Sequence, residues 1–225
     1  MTSHLLERVP FLAALSAQDL DWLTERLRRR KYSRGDIIFQ KDDPGQSLFI
    51  IEAGSVRIYM PGTQGADLTL AVIGEGEFFG DLSLLDGRPR SASAMAASDS
   101  TLLSLERTDF TSLMRSRPDA ALSILAVIAR RLRDTDQTAS DLAFLDVSGR
   151  LARKLLDLAE TTGVRRDDGV LLQVGLTQED LANMIGVTRE SVNRNLSVFR
   201  RLGLIGREGR KIILRDPPGL RSYCD

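Results

Sequence analysis

Residues 177–202 read TQEDLANMIGVTRESVNRNLSVFRRL. Thr177, with Asp180 three positions on, has the spacing of a helix-capping pair, in which a hydroxyl accepts a backbone N–H and the later side chain answers it. Leu181, Ala182 and Ile185 then share one side of a helix, and Gly186 permits a tight turn. Thr188 caps a second helix, whose apolar positions Val192, Leu196, Phe199 and Leu202 recur at helical spacing. Two short helices joined by a glycine turn form a helix-turn-helix. In that motif the start of the second helix enters the major groove of DNA. Here that start carries Arg189, Glu190, Asn193 and Arg194. An arginine can make two parallel hydrogen bonds to guanine, and a glutamate can accept from the amino group of cytosine. A helix pair with a purely structural role has little reason to place those four side chains there.

Downstream, GLIGREGRKIILRD (203–216) has the pattern of a β-hairpin turning at Gly206–Gly209, with Arg207, Arg210 and Lys211 available to phosphates. Positions 188–215 hold 8 basic and 2 acidic residues, although the whole chain is neutral, with 31 of each sign in 225 residues. Such an excess fits either a polyanion partner or a solvated helix face. Upstream, GRLARKLLDLAETTG (149–163) reads as a helix with Leu151, Leu155 and Leu158 on one side and Gly163 as its stop. The polar loop VRRDDGV (164–170) follows.

A longer helix is expected before Asp146. Pro118 suits its first turn, and Leu125, Ile128, Leu132, Thr135, Ala139 and Leu142 repeat in the 3,4 steps of a coiled-coil seam. Arg130, Arg131, Arg133, Asp134, Asp136 and Asp141 flank it. The seam can pair with a second copy of the chain or pack on the chain's own N-terminal part. Thr135 is polar where an aliphatic is expected. Its hydroxyl bonds either a carbonyl one turn back or a group that is not protein.

The N-terminal part opens with SAQDLDWLTERLRR (16–29), read as a helix capped by Ser16. From Tyr32 the character changes. GDIIFQ, SLFIIEAGSVRIYM, LTLAVIG and TLLSLE are short β-rich runs separated by segments rich in Gly, Pro and Asp, the pattern of an antiparallel sandwich or barrel over about 30–107. Among them, FFGDLSLLDGRPRSASA (78–94) is either a polar turn or a cradle for a phosphorylated ligand. One cysteine, Cys224, and one histidine, His4, leave no disulfide, no multi-cysteine metal or iron–sulfur site and no histidine-based triad. No apolar run reaches the ~20 residues of a membrane span. MTSHLLERVP lacks the basic start and apolar core of a signal peptide, so a cytoplasmic protein is expected.

FGDLSLLDGRPRSASA (79–94), ARRLRDTDQTASDLAFLDVSGR (129–150) and LTQEDLANMIGVTRESVNR (176–194) together resemble the cyclic-AMP receptor protein/FNR-type bacterial transcription regulators, over about residues 10–215. The resemblance implies an α+β fold: a β-roll of the cyclic-nucleotide-binding type at 1–117, a central dimerisation helix and hinge at 118–145, and a winged helix-turn-helix at 146–225. It implies a phosphate-binding cassette of Gly80, Asp81, Leu82 and Ser83 with Arg90, Ser91 and Ala92. Physically, a short helix after Gly80 offers backbone N–H groups to an anion, and Arg90 adds a fork of donors. Thr135 matches the family's threonine that bonds the adenine amino group, and Arg131 and Asp136 complete the expected ligand set.

Two positions depart from the family pattern. Asp81 stands where the family has a glutamate that accepts from the ribose 2′-hydroxyl, and Asp136 where the cyclic-AMP receptor has a serine. The shorter Asp81 either still reaches the ribose or pairs with Arg131. The expected effector is a cyclic nucleotide, cAMP first. The alternative is an effector-independent or different-ligand regulator with a vestigial cassette. The DNA-binding set is Thr177, Gln178, Thr188, Arg189, Glu190, Asn193, Arg194, Arg210 and Lys211. Since Arg189, Glu190 and Arg194 match the family's base-reading positions, a TGTGA-like inverted repeat is expected. Expected partners are double-stranded DNA, a second copy of the chain and RNA polymerase, the last through 164–170. No enzyme activity, membrane, metal, haem or iron–sulfur cluster is expected.

Overall fold

The computed structural model describes residues 5–13, 15–62, 67–173, 176–209 and 211–224; His4 and Arg210 lie outside them. In chain order the elements are α1 (Ala17–Thr24), β1 (Arg28–Tyr32), β2 (Ile37–Phe39), β3 (Ser47–Ala53), β4 (Ser55–Met60), β5 (Leu68–Gly74), β6 (Phe78–Phe79), α2 (Asp81–Asp86), β7 (Ser93–Ala96), β8 (Ser100–Glu106), α3 (Arg107–Ser116) and α4 (Pro118–Phe144). They continue with α5 (Val147–Thr162), β9 (Gly163–Arg166), β10 (Gly169–Leu172), α6 (Gln178–Ile185), α7 (Arg189–Arg201), β11 (Ile205–Glu208), β12 (Lys211–Leu214) and α8 (Pro217–Arg221). The chain divides into two compact units, and the division falls inside α4, between Asp134 and Thr135.

In the first unit, Ser16 caps α1 by accepting from the Asp19 N–H at 3.2 Å. The expected helix over 16–29 stops at Thr24, because Arg28–Tyr32 is drawn into a ladder with β8, Arg28 opposite Ser104 and Tyr32 opposite Ser100. The run SLFIIEAGSVRIYM is two strands, β3 and β4, parted at Gly54 with φ 89° and entering different sheets. Two sheets result, ordered β1-β8-β3-β6 and β2-β7-β4-β5. Strand β3 is buried on both faces. Leu48 and Ile50 point into a core with Phe11, Phe110, Leu113 and Ile124, while Phe49 and Ile51 point into a second core with Val56, Phe79 and Leu102. Side chains alternate across a strand, so LFII can be apolar throughout only if both sides are covered.

Helix α4 carries two stripes. Ala120, Ile124 and Val127, at i, i+4 and i+7, are buried, with Ile128 packed at the edge of that core. Leu125, Leu132 and Leu142 of the expected seam face outward, 58%, 60% and 40% exposed. Of the expected seam, Ile128 packs on the chain's own core, while Leu125, Leu132 and Leu142 do not.

In the second unit, Asp146 caps α5 by accepting from the Gly149 N–H at 2.8 Å. The segment read as a loop, 164–170, is a hairpin of β9 and β10, with Gly169 opposite Arg166 at φ 135°. Its sheet runs β11-β12-β10-β9. Leu151, Leu155, Leu181, Val192 and Phe199 share one core. Leu202 is 58% exposed, not buried as its spacing implied. Helix α7 ends at Arg201, the helical register stops there, and Leu204 enters the core instead.

Arg117 clamps α1. Its Nε and Nη2 donate to the two carboxylate oxygens of Asp19 at 2.7 and 2.6 Å. These bonds, with help from the Ser16 hydroxyl, lower the Asp19 pKa to about 2. An unfolded Asp titrates near ~3.9. The folded value lies below it, so this group adds stability above that pH and loses it as pH falls toward 2. In Arg117→Gln the Asp19 midpoint moves up toward the ordinary carboxylate range in a carboxyl-carbon NMR titration. An unmoved midpoint assigns the depression to the Ser16 cap.

Candidate functional site

The stretch 78–94 folds as a cradle. Gly80 and Gly87, both left-handed at φ 82° and 76°, bracket α2. A Cβ on Gly80 would sit 2.6 Å from Arg90 Nη1, so only glycine fits there. Arg90 is 4% exposed. Its Nη1 donates to the Gly80 carbonyl at 2.8 Å, its Nη2 to the Ser47 carbonyl at 2.7 Å, and its guanidinium lies 4.2 Å over the Phe39 ring. Desolvation pulls the Arg90 pKa down, opposed by the charges of Asp43 and Asp81. Its Nε is buried with no hydrogen-bond partner among the described residues.

Asp81 is 2% exposed. One oxygen accepts from Arg131 Nη1 at 2.9 Å, while the other, Oδ2, is buried and has no partner among the described residues. Arg131 Nη2 also donates to the Phe78 carbonyl, and its guanidinium stands 4.9 Å from the Phe78 ring. Helix α4 is thus tied to both ends of the β6–α2 junction. The structure brings Gly80, Asp81, Ser83, Arg90, Ala92 and Arg131 into buried or half-buried places around the cradle, whereas Leu82 and Ser91 are exposed. Thr135 and Asp136 are exposed on α4, in the part that belongs to the second unit.

The sequence reading missed the opposite wall. In the sequence, KDDPGQ (41–46) is one of the Gly-, Pro- and Asp-rich separators between β-rich runs, with no mark of a ligand site. In the structure the Arg90 N–H donates to the Asp43 carbonyl at 2.8 Å, and the Asp42 N–H, at a left-handed φ of 71°, donates to the Arg90 carbonyl at 2.9 Å. A Cβ on Gly45 would overlap the Cβ and Oγ of Ser83. Phe39 was equally unforeseen. No local pattern marks a ring that will lie under an arginine fifty residues away.

The second unit presents a different surface. Thr177 and Asp180 form the expected capping box, Gly186 turns at φ 65°, and Thr188 accepts from the Ser191 N–H at 3.3 Å. Val192, Leu196 and Phe199 anchor α7, leaving Thr177, Thr188, Arg189, Glu190, Asn193 and Arg194 exposed. Gln178 donates to Asn193 at 3.0 Å, linking the two helices. Lys211, opposite Glu208 in the wing, is half-buried and donates to Gln173 at 3.1 Å. A groove of about 650 Å³ runs between the start of α6, helix α7 and β11, with Arg189, Arg200 and Arg207 on it.

The sequence profile for a cyclic nucleotide-binding domain matches residues 29–117, and that for a Crp-like helix-turn-helix domain matches 149–223. The chain belongs to the CRP/FNR family. A CRP-like cAMP-activated global transcriptional regulator of Mycobacterium tuberculosis is 34% identical over 213 residues, 95% of each chain. A cyclic AMP receptor protein of Thermus thermophilus is 37% identical over 196 residues, 87% of this chain and 88% of that one. The solved structure of the c-di-GMP responsive global regulator CLP from Xanthomonas campestris superposes with a TM-score of 0.78 at 26% identity, covering 88% of this chain and 99% of that one. The chain is therefore a transcription regulator with a sensor domain of the cyclic-nucleotide type and a DNA-binding winged helix, and not an enzyme. Among the described residues no helix is long and apolar enough to cross a membrane.

The Gly45–Ser83 contact gives a direct check on the cradle. Gly45→Ala lowers the stability of the first unit by about 1–3 kcal/mol in denaturant titrations, the usual cost of overpacking. Ser83→Gly removes the atoms it strikes, so the double variant is more stable than the two separate losses predict. Strict additivity contradicts the contact.

Proposed function

We propose that the chain is a cytoplasmic homodimeric regulator whose DNA binding is controlled by a cyclic nucleotide, cAMP first, held in the α2 cassette. The observation that carries this reading is the pair of buried, uncommitted atoms Arg90 Nε and Asp81 Oδ2. A buried polar atom with no partner costs roughly 1–3 kcal/mol, so a site that keeps one donor and one acceptor of this kind calls for a ligand with an anionic acceptor and a hydroxyl donor. A nucleoside cyclic phosphate carries both. Asp81 then does two things at once: one oxygen holds Arg131 and the other remains for a ribose hydroxyl. Exposed Leu125, Leu132 and Leu142 on α4 support dimerisation through the seam, with Thr135 and Asp136 reaching the ligand from it. The functional division runs 1–117, 118–145 and 146–225, and a hinge near Phe144–Asp146 lets ligand select the DNA-competent state. Exposed Arg165–Asp168 at the β9–β10 turn suits contact with RNA polymerase.

The alternative, a regulator with no effector or a different one, has its own support. Both Nη groups of Arg90 already serve main-chain carbonyls, and Asp81 is already ion-paired. Thermal shift with cAMP, cGMP and a cyclic dinucleotide separates the two. At a hundredfold excess over Kd a ligand adds about 2.7 kcal/mol of stability. cAMP gives the largest shift, and Arg90→Ala abolishes both the shift and calorimetric binding, with a retained cooperative melting transition as the folding control because Arg90 also holds the Gly80 and Ser47 carbonyls. No shift with any of the three favours the alternative.

Arg189, Glu190 and Arg194 support a TGTGA-like inverted repeat, with half-sites about 34 Å apart in a dimer. Arg189→Ala costs about 1–3 kcal/mol on that repeat and relaxes preference at one base position. Equal loss on repeat and random duplex in anisotropy titrations contradicts a base-reading role.

A further inference from the structure

Helix α7 carries a polar side chain on its inner side. Asn195 is half-buried, between the expected base reader Arg194 and the core residue Leu196, and one turn before Phe199. Both ends of its amide are engaged. The Ser148 hydroxyl donates to Asn195 Oδ1 at 2.7 Å, and Asn195 Nδ2 donates to the Ser191 carbonyl at 2.9 Å. A carbonyl can only accept, so the amide nitrogen must face Ser191 and the amide oxygen must face Ser148. Ser148 lies in the first turn of α5, beside the Asp146 cap. Ser191 lies in the first turn of α7, where its N–H meets Thr188. Thr188, Ser191, Asn195 and Ser148 thus form a polar chain from the start of α7 to the start of α5. The Gln178–Asn193 bond is on another side of α7. Asn193 and Asn195 are ~200° apart around a helix, and Asn193 is exposed.

For stability alone, asparagine is a poor choice at this place. It is a weaker helix former than leucine, methionine or alanine. The rest of the core that α5 and α7 share is apolar, with Leu151, Leu155, Val192, Leu196 and Phe199. A polar pair in such a contact costs desolvation that its own hydrogen bonds must offset. What it adds is register, because apolar contact is non-directional and a hydrogen bond is not. Base reading depends on register. Turning α7 by ~20° about its axis carries a side-chain tip, at a radius of ~5–6 Å, through about 2 Å. Two parallel hydrogen bonds to one base edge do not survive that displacement. Phosphate contacts made by long basic side chains carry no sequence information and tolerate it better.

We propose that Asn195, held by Ser148, is a positioning residue for base reading: it fixes the rotation of α7 at which Arg189, Glu190 and Arg194 meet the bases. The proposal rests on the base-reading role of α7 and deepens it. The test uses the full chain, without and with added cAMP, and two duplexes of equal length. One is the sequence that the wild type enriches from a randomised pool, and the other is a random sequence. In anisotropy titrations Ser148→Val and Asn195→Leu each cut the ratio of the two affinities about tenfold, the scale of one misplaced bidentate contact, while affinity for the random duplex stays within about twofold. Ser148→Thr matches the valine variant in size and keeps the hydroxyl, so it retains the wild-type ratio. The double variant Ser148→Val, Asn195→Leu loses no more than either single one, because both remove the same bond. A retained cooperative melting transition is the folding control for each. Equal ratios for Ser148→Thr and Ser148→Val overturn the proposal. So does an equal loss on both duplexes, which assigns the pair to stability alone. Arg189→Ala separates this proposal from the reading beneath it. If Arg189→Ala also leaves the ratio unchanged, α7 does not read bases and both fail. If Arg189→Ala collapses the ratio while Ser148→Val and Asn195→Leu keep it, only the positioning role has failed.

Discussion

Everything in the first unit that bears on a ligand is arranged around one buried cation. Taking a guanidinium out of water costs several kcal/mol unless its hydrogens and charge are answered. Arg90 is answered by the carbonyls of Gly80 and Ser47, by the face of Phe39 and by the nearby charges of Asp43 and Asp81. Those partners come from the 39–47 segment and the β6–α2 junction, and the side chain that satisfies them holds them together. Gly80 must be glycine because Arg90 fills the space where a Cβ would go, and Gly45 must be glycine because Ser83 does the same. The cassette is thus a packed object that keeps two polar atoms in reserve, not a loop waiting to be ordered.

The Asp81–Arg131 pair carries that organisation into α4. Residue 81 has a nearly buried carboxylate, and Arg131 also grips the Phe78 carbonyl, so the cradle and the helix are joined directly, without intervening loops. The helix itself serves two masters. Ala120, Ile124 and Val127 bind it to its own domain, and the leucines a quarter-turn round remain exposed. A helix rigidly fixed along one stripe and open along another can pass a displacement to whatever covers the open one.

Much of the second unit was legible from local signals. The capping pairs Thr177–Asp180 and Thr188–Ser191, the glycine at 186 and the apolar spacing of α7 are each set by residues within one or two turns of one another. The reading failed where a local pattern ran past the point at which tertiary contact took over. LTERLRR continued a plausible helix, yet Arg28 onward gains more by pairing with β8. Leu202 continued a helical spacing, yet the helix had already ended. The polar run VRRDDGV gave no sign of strands, since the apolar residues that anchor the hairpin, Leu171 and Leu172, lie just beyond it and the rest is held by the ladder with β9 and β12.

By itself the sequence determined the helix-turn-helix, its caps and its glycine turn, because these depend on neighbours along the chain. Only the tertiary structure decided what each charge does. Asp81 finds Arg131 across 50 positions, Arg90 finds Ser47 across 43, and the cations of β1 find an open edge instead of a helix surface. Charged side chains are long and their partners interchangeable. Which pair forms depends on the path of the backbone and on which groups lose water together, and neither can be read from spacing in the chain.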